Sequence, residues 1–386
     1  MKDNTRLIHI RTKRAGINTV NPPVERGSTV LISTREELYG DGKVYGRMGL
    51  MVQRELEAAL CALEHAEHAR LTSNGLQACA LSIGSIVRSG DHVLIADCLY
   101  GPSRRFNLRR LSAMGVSAAQ FSARATMDEL ERLIQPNTKA IVVESPGSLT
   151  FEILDLPAIV KLAHAHKLLV VADNTWGAGL LHRPLDLGVD ICVQALTKYV
   201  IGHSDSMGGA VLTNSKQLAT RIANCSEDWG IALAPDDAYV ALRGLRTLET
   251  RLKQHEAGAF EVANWLTMRS EVANVLHPGL PSHPDHALWQ RDFSGANGLF
   301  GVVLETISDA QLDAFLESLK LFKMGFSWGG YESLLIPCDE QLKRLPSDPI
   351  HNRPGPLLRL HVGLEAPEDL IADLDQAFAV MASTAP

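Results

Sequence analysis

Aromatic side chains are scarce: Phe, Trp and Tyr make up 5% of the 386 residues. Leu, Val, Ile and Ala must therefore do most of the packing in a chain that is 46% hydrophobic. Runs of about 18 or more apolar residues are missing, which excludes a membrane-spanning helix. The opening residues, Met1-Lys2-Asp3-Asn4-Thr5-Arg6, show no apolar core and no cleavage signal. Positive charge is not in excess. Lys and Arg number 37 against 44 Asp and Glu, a formal net charge of −7. That balance argues against a nucleic-acid partner, which needs a basic face. It leaves small anionic ligands open, because local sites hold those whatever the net charge. The six cysteines, at positions 61, 79, 98, 192, 225 and 338, form no Cys-x-x-Cys pair. Isolated cysteines without a secretion signal fit a reduced, cytoplasmic protein. A chain of this length buries enough core to need neither disulfides nor a structural metal. Low-complexity tracts and internal repeats are also lacking.

What is present has three textures. Residues 1–50 are rich in Gly, Pro and Thr and read as an extended arm with a short helix at most. Residues 51–245 alternate helical spacing with apolar runs. Val52 to Glu64 places Val52, Leu56, Ala59, Leu60 and Leu63 on one helical stripe. Thr72-Ser73-Asn74-Gly75 is a turn that opens a helix from Leu76 to Val87. Residues 91–96, 140–144, 168–173 and 190–194 look like buried parallel strands, with helices such as 127–134 and 156–165 between them. This rhythm predicts an α/β unit with a mostly parallel sheet. Residues 246–386 read as an α+β C-terminal domain. Residues 241–268 form one or two helices, 298–304 and 357–362 are half-exposed strands, and 311–319 and 369–381 are helices covering one face.

Two strand ends carry the strongest chemical signal. One strand finishes in Asp173-Asn174-Thr175-Trp176, and a later one leads into Thr197-Lys198-Tyr199. Ligands of open α/β sheets bind beyond the carboxyl ends of strands, where Asp173 and Lys198 could meet one molecule. Such a pair suits pyridoxal phosphate: a lysine forms an imine, and a carboxylate keeps the pyridine nitrogen protonated. Spacing alone leaves open that both are surface-loop charges. Ser73-Asn74-Gly75-Leu76 opens a helix and could hold a phosphate on free N–H groups, or simply be a cap. Tyr100 follows a strand and could stack on a planar ring or be a half-buried packing residue. His277, His283 and His286 lie in a Pro-rich loop and read as solvated surface, not as a metal site. Cys79 and Cys192 read as buried packing residues. The Arg104-Arg105 and Arg109-Arg110 pairs read as a solvated helix face.

The chain resembles the Cys/Met-metabolism family of pyridoxal-phosphate enzymes over nearly its whole length. The resemblance is carried by Val44-Tyr45-Gly46-Arg47, Glu144-Ser145-Pro146-Gly147-Ser148, Asp173-Asn174-Thr175-Trp176 and Thr197-Lys198-Tyr199 through Asp205. It continues in Arg243-Gly244-Leu245-Arg246, Ser327-Trp328-Gly329-Gly330-Tyr331-Glu332 and Leu358-Arg359-Leu360-His361-Val362-Gly363. It implies the fold-type I, aspartate-aminotransferase-like architecture, with pyridoxal 5'-phosphate as cofactor. Lys198 would carry the imine, Asp173 would meet the ring nitrogen and Tyr100 would stack on the ring. Gly75, Leu76 and Thr197 would hold the phosphate. Tyr45 and Arg47 would reach the phosphate of a neighbouring subunit, giving a dimer with shared sites, within a homotetramer, and explaining an arm with nothing else to pack on. Arg359 would grip the substrate carboxylate, with Ser327 and Trp328 beside it and Ser327 near the lysine amine. Asn74, Gln77 and Ala195 depart from the usual phosphate turn. Gln77 either re-aims the cofactor end or points to solvent. The implied activity is β-elimination of a sulfur amino acid, as in the family's cystathionine β-lyases, giving homocysteine, pyruvate and ammonia from L-cystathionine. The γ-synthase and γ-lyase chemistries, or racemisation, are alternatives on the same cofactor. Trp328 favours the β-reaction, and Pro102 stands where methionine γ-lyases carry a cysteine.

Overall fold

The computed structural model describes residues 2–10, 19–40, 42 and 44–385. Seven strands form its larger sheet: β1 (His68–Thr72), β2 (His92–Ala96), β3 (Ser117–Phe121), β4 (Thr138–Glu144), β5 (Leu169–Asp173), β6 (Ile191–Gln194) and β7 (Gly209–Thr213). Their order is β1-β7-β6-β5-β4-β2-β3. Strands β2 to β6 run parallel, and only β7 opposes its neighbours β6 and β1. Parallel strands must be covered on both faces, and β2, β6 and β7 are buried along their whole length.

The covering helices follow from local sequence. Asp155 accepts the Ala158 N–H and so caps Leu156–Ala165, a helix with Pro in its first turn and Leu156, Ile159, Val160 and Ala163 buried. That helix packs on one face of the sheet with Leu81 and Ile83 of the Gly75–Gly84 helix. The other face is covered by Leu56, Leu60 and Leu63 of Met51–Glu64 and by Leu242 and Leu245 of Pro235–Leu245. The long amphipathic stretch resolves into two helices, Pro235–Leu245 and Leu248–Thr267.

The smaller sheet contains β8 (Val272–Leu276), β9 (Leu299–Leu304), β10 (Leu334–Pro337) and β11 (Leu357–His361), ordered β10-β11-β9-β8 and antiparallel throughout. Its strands are not half-exposed, as alternation suggested. β9 is buried at every residue and β11 at every residue but Arg359. On one face Phe300, Val302 and Leu360 pack with Val262 of Leu248–Thr267 and Leu374 of the C-terminal helix Pro367–Ser383. On the other, Leu299, Val303 and Leu357 meet Phe151, Ile153 and Trp176 from the region of the larger sheet. The second face is thus dried by residues far away in sequence.

Three other expectations change. The arm does have something to pack on: Leu7 is buried in the core beneath Met51–Glu64, and Arg246 donates to the carbonyls of Leu7 and Ile10. His277 and His283 are buried, not solvated. The His277 ring lies 4.7 Å from Phe260, and the adjacent Asp285 accepts the Ile153 N–H at 3.0 Å and pairs with Arg124. Arg104 is half-buried and donates to the Asp97 carbonyl at 2.9 Å, whereas Arg105, Arg109 and Arg110 are solvated. Among the described residues no helix is long and apolar enough to cross a membrane, and no cluster of His, Cys, Asp and Glu could hold a metal ion.

Candidate functional site

Five strand ends on one edge of the larger sheet deliver the candidate groups. β1 leads into the Ser73–Leu76 turn, β2 into Tyr100, and β6 into Lys198, while β4 and β5 end in Glu144 and Asp173. The last two are direct register partners, so their carboxylates share a neighbourhood.

Asp173 is richly bonded. One oxygen accepts the Thr175 N–H at 3.0 Å and its hydroxyl at 2.5 Å, and the other accepts the Cys79 thiol at 3.5 Å. Burial pushes this carboxyl up, while those bonds and the positive Lys198 pull it down. Glu144 accepts the Tyr100 N–H and the Ser148 hydroxyl, each at 2.6 Å, and is pushed up by burial and then by Asp173. Cys79 is buried, as expected, but it also touches the site. Burial and Asp173 hold its pKa well up, so it stays a neutral S–H donor.

Lys198 Nζ donates to Ser327 Oγ at 2.6 Å and sits 5.1 Å from the Trp328 ring centroid. Burial, then Arg359, pushes the amine down to about 8, against the pull of Asp173. A group held there is available as a base near neutral pH. Arg359 is half-buried on β11 and donates to the Ser327 carbonyl at 2.9 Å, which orients its guanidinium beside the lysine. Tyr100 is 45% exposed and close enough to Arg359 for the guanidinium to favour its ionised form, although burial dominates and raises it.

The phosphate-turn candidates are also together. Gly75 and Leu76 open the Gly75–Gly84 helix, and their N–H groups have no acceptor among the described residues. A Cβ on Gly75 would lie 2.4 Å from the Cβ of Ala195, so Gly75 is required by close approach. Asn74 caps the helix by accepting the Gln77 N–H at 2.9 Å. Gln77 is half-buried and tied into the turn: its Oε1 accepts the Ser73 N–H and hydroxyl, both at 2.9 Å. Thr197 Oγ1 exchanges bonds with the Gly208 N–H and carbonyl, both at 3.2 Å. A free helix start, a cradle that a methyl group would fill, a depressed lysine and a buried carboxylate together fit pyridoxal phosphate.

The arm residues are not brought in. Tyr45 is exposed and bridges Thr29, and Arg47 is exposed with its guanidinium 5.8 Å from the Tyr45 ring centroid. Within one chain neither hydrogen-bonds to Lys198, Asp173 or Tyr100 among the described residues.

The family model for Cys/Met metabolism PLP-dependent enzymes matches residues 4–379. The chain belongs to that family. A cystathionine beta-lyase of Bordetella avium is 42% identical, covering 94% of this chain and 92% of that protein. An L-alanine/L-glutamate racemase of Wolbachia pipientis is 38% identical, covering 94% and 93%. The crystal structure of a cystathionine gamma-lyase from Lactobacillus plantarum, complexed with L-serine, superposes with a TM-score of 0.91 at 31% identity, covering 99% of this chain and all of that one. The fold is thus that of the pyridoxal-phosphate enzymes, and pyridoxal phosphate is the cofactor.

Proposed function

We propose that this chain is a carbon–sulfur lyase that eliminates a thiol from Cβ of a sulfur amino acid, foremost L-cystathionine, to give homocysteine, pyruvate and ammonia. The reading is supported by one arrangement above all: a lysine amine held near neutral pH between Ser327, Trp328 and Arg359, in a chain so similar to β-lyases. Pyridoxal phosphate, when bound, supplies a covalent partner for an amine and a sink for negative charge. The protein does the rest. Arg359 binds the substrate carboxylate through its planar fork. Lys198 takes the proton from Cα. Asp173 would meet the ring nitrogen of the bound cofactor and keep it protonated. Gly75, Leu76 and Thr197 would hold the phosphate, and Tyr100, fixed through its N–H by Glu144, would cover the ring. The Cβ–S bond then breaks with its electron pair on sulfur, and the released enamine takes up water to yield pyruvate and ammonia. A panel of cystathionine, cystine, djenkolate and alkyl-cysteines, with pyruvate and thiol both quantified, tests the reading. Equimolar pyruvate and thiol are expected. A 2-oxobutyrate product would replace it with γ-elimination, and D-amino acids without thiol would replace it with racemisation.

From the family resemblance we also infer a cytoplasmic homo-oligomer whose dimer shares its sites; Tyr45 and Arg47, exposed in the single chain, are free for the arm of one subunit to reach the phosphate of the other. The N-terminal arm, residues 1–50, then serves the partner, residues 51–245 bind cofactor, and residues 246–386 supply Arg359 and Ser327. Co-expressing Lys198→Ala with Arg47→Ala should restore activity, because one site of each hybrid dimer carries neither lesion. Hybrids no more active than the parents would refute sharing.

A further inference from the structure

Behind Lys198 lies a buried cluster of rings. Tyr199 stands 5.4 Å from Trp328, 5.1 Å from His255 and 5.9 Å from His361, centroid to centroid. His361 is two residues from Arg359 on β11, so both side chains leave the same face of the strand. Both reach the same loop. Arg359 donates to the Ser327 carbonyl at 2.9 Å, and His361 Nε2 lies 3.1 Å from the Gly329 nitrogen and 3.1 Å from the Gly330 carbonyl oxygen.

That loop cannot hold its shape from local preference. Ser327 has φ +83° and Gly329 φ +87°, and a left-handed non-glycine residue persists only where its surroundings enforce it. The loop also presses on the lysine: a Cβ on Gly329 would lie 2.8 Å from the Tyr199 nitrogen and 3.0 Å from the Lys198 Cα. Its first residue, Ser327, accepts the Lys198 ammonium at 2.6 Å. The imidazole is 1% exposed, and burial holds its pKa well below the usual histidine value, so it is neutral. A neutral ring offers Nε2 as a donor or as an acceptor, not both. Its Nδ1 has no hydrogen-bond partner among the described residues. An apolar residue would avoid that unpaired nitrogen, whose burial is costly, so the imidazole is kept for what Nε2 does.

We propose that His361 is a positioning residue of the reaction: through Nε2 it pins the Ser327–Gly330 loop and thereby keeps the Ser327 hydroxyl on the Lys198 amine. The inference rests on the reading of Lys198 as the reacting amine. It predicts that His361 and Ser327 act in series.

A double-mutant cycle in the holoenzyme tests this, with His361→Leu, similar in volume, and Ser327→Ala as the two arms. Each single change should lower kcat about tenfold, the worth of a well-made hydrogen bond. The double variant should be no worse than Ser327→Ala to within about twofold. The pH midpoint of the bound cofactor's visible absorbance change should move equally in both single variants, a readout that looser packing alone would not shift. His361→Gln, which retains a donor and an acceptor, should recover most of kcat, and His361→Met, similar in volume but with no N–H to offer the loop, carries the cycle if His361→Leu does not fold. Multiplicative losses, or a midpoint that His361→Leu leaves in place while Ser327→Ala moves it, would overturn the proposal and spare the site reading. If Ser327→Ala itself changes neither kcat nor midpoint, the Lys198–Ser327 reading falls and the inference with it.

Discussion

Gly75→Ala isolates the phosphate turn from the rest of the site. The added Cβ would sit 2.4 Å from the Ala195 Cβ and 3.1 Å from its Cα, whereas carbon atoms rest about 3.5–4.0 Å apart. Either the turn or the 195–198 segment must retreat by roughly 1 Å to reach that spacing. Both Gly75 and Leu76 N–H groups would then miss a phosphate placed for the native turn. Hydrogen bonds to charged groups contribute about 1.5–3 kcal/mol each, so losing the equivalent of one weakens cofactor binding on the order of 10- to 100-fold. The assay is a titration of pyridoxal phosphate into the apo-protein, followed by absorbance. The steric account makes a second demand. Ala195→Gly removes the atom that collides, so Gly75→Ala combined with Ala195→Gly should regain most of the affinity. Wild-type affinity in the single variant, or no recovery in the double, would refute the placement of the phosphate at this helix start.

Arg359→Ala should raise KM for every amino-acid substrate by about 30-fold or more, because a buried charge pair truncated on one side loses roughly 2–5 kcal/mol. It should also move the acidic limb of the rate–pH profile upward, since Arg359 is one of the causes that hold Lys198 down near 8, and a KM left unchanged would place the carboxylate elsewhere. Glu64 is fully buried among Asn174 and Gln194, and burial raises it from the ordinary 4.5 to about 7. The native state therefore binds the extra proton in that window, and stability falls as pH rises from about 4.5 to about 7, on the order of 3 kcal/mol in all. Glu64→Gln should flatten that slope in denaturant titrations and stabilise the chain above pH 7; an unchanged slope would refute the assignment.

Local signals were enough for elements that carry their own boundaries. Residues 156–165 read as a helix between two apolar runs, and the structure shows what sets its bounds: a capping Asp, a first-turn Pro and a buried stripe. Edge strands lacked such marks. β1 is His-Ala-Arg-Leu-Thr and β3 is Ser-Ala-Ala-Gln-Phe, neither an apolar run, and only pairing with β7 and β2 makes them strands. Burial of β9 and β11 on a second face, and of His277 and His283, came from residues distant in sequence. The site divides the same way. Asp173 and Lys198 stand at strand ends and could be picked out one at a time. Glu144, Cys79 and His361 could not, because their contacts arise from strand register, from one helical turn beyond Gly75, and from a loop crossing β11.

Pairing of β1 with β7 joins His68 to Thr213 and Thr72 to Gly209. The turn after β1 and the lysine before β7 are therefore neighbours only once the chain has closed a loop of well over a hundred residues. Such closure is slow and late in folding. The phosphate turn and the lysine thus come together only in the paired sheet. The cofactor acts by mass action on the finished sheet, adding stability in proportion to the logarithm of its free concentration. Removing the cofactor should therefore lower the melting temperature, and adding it back should raise it again.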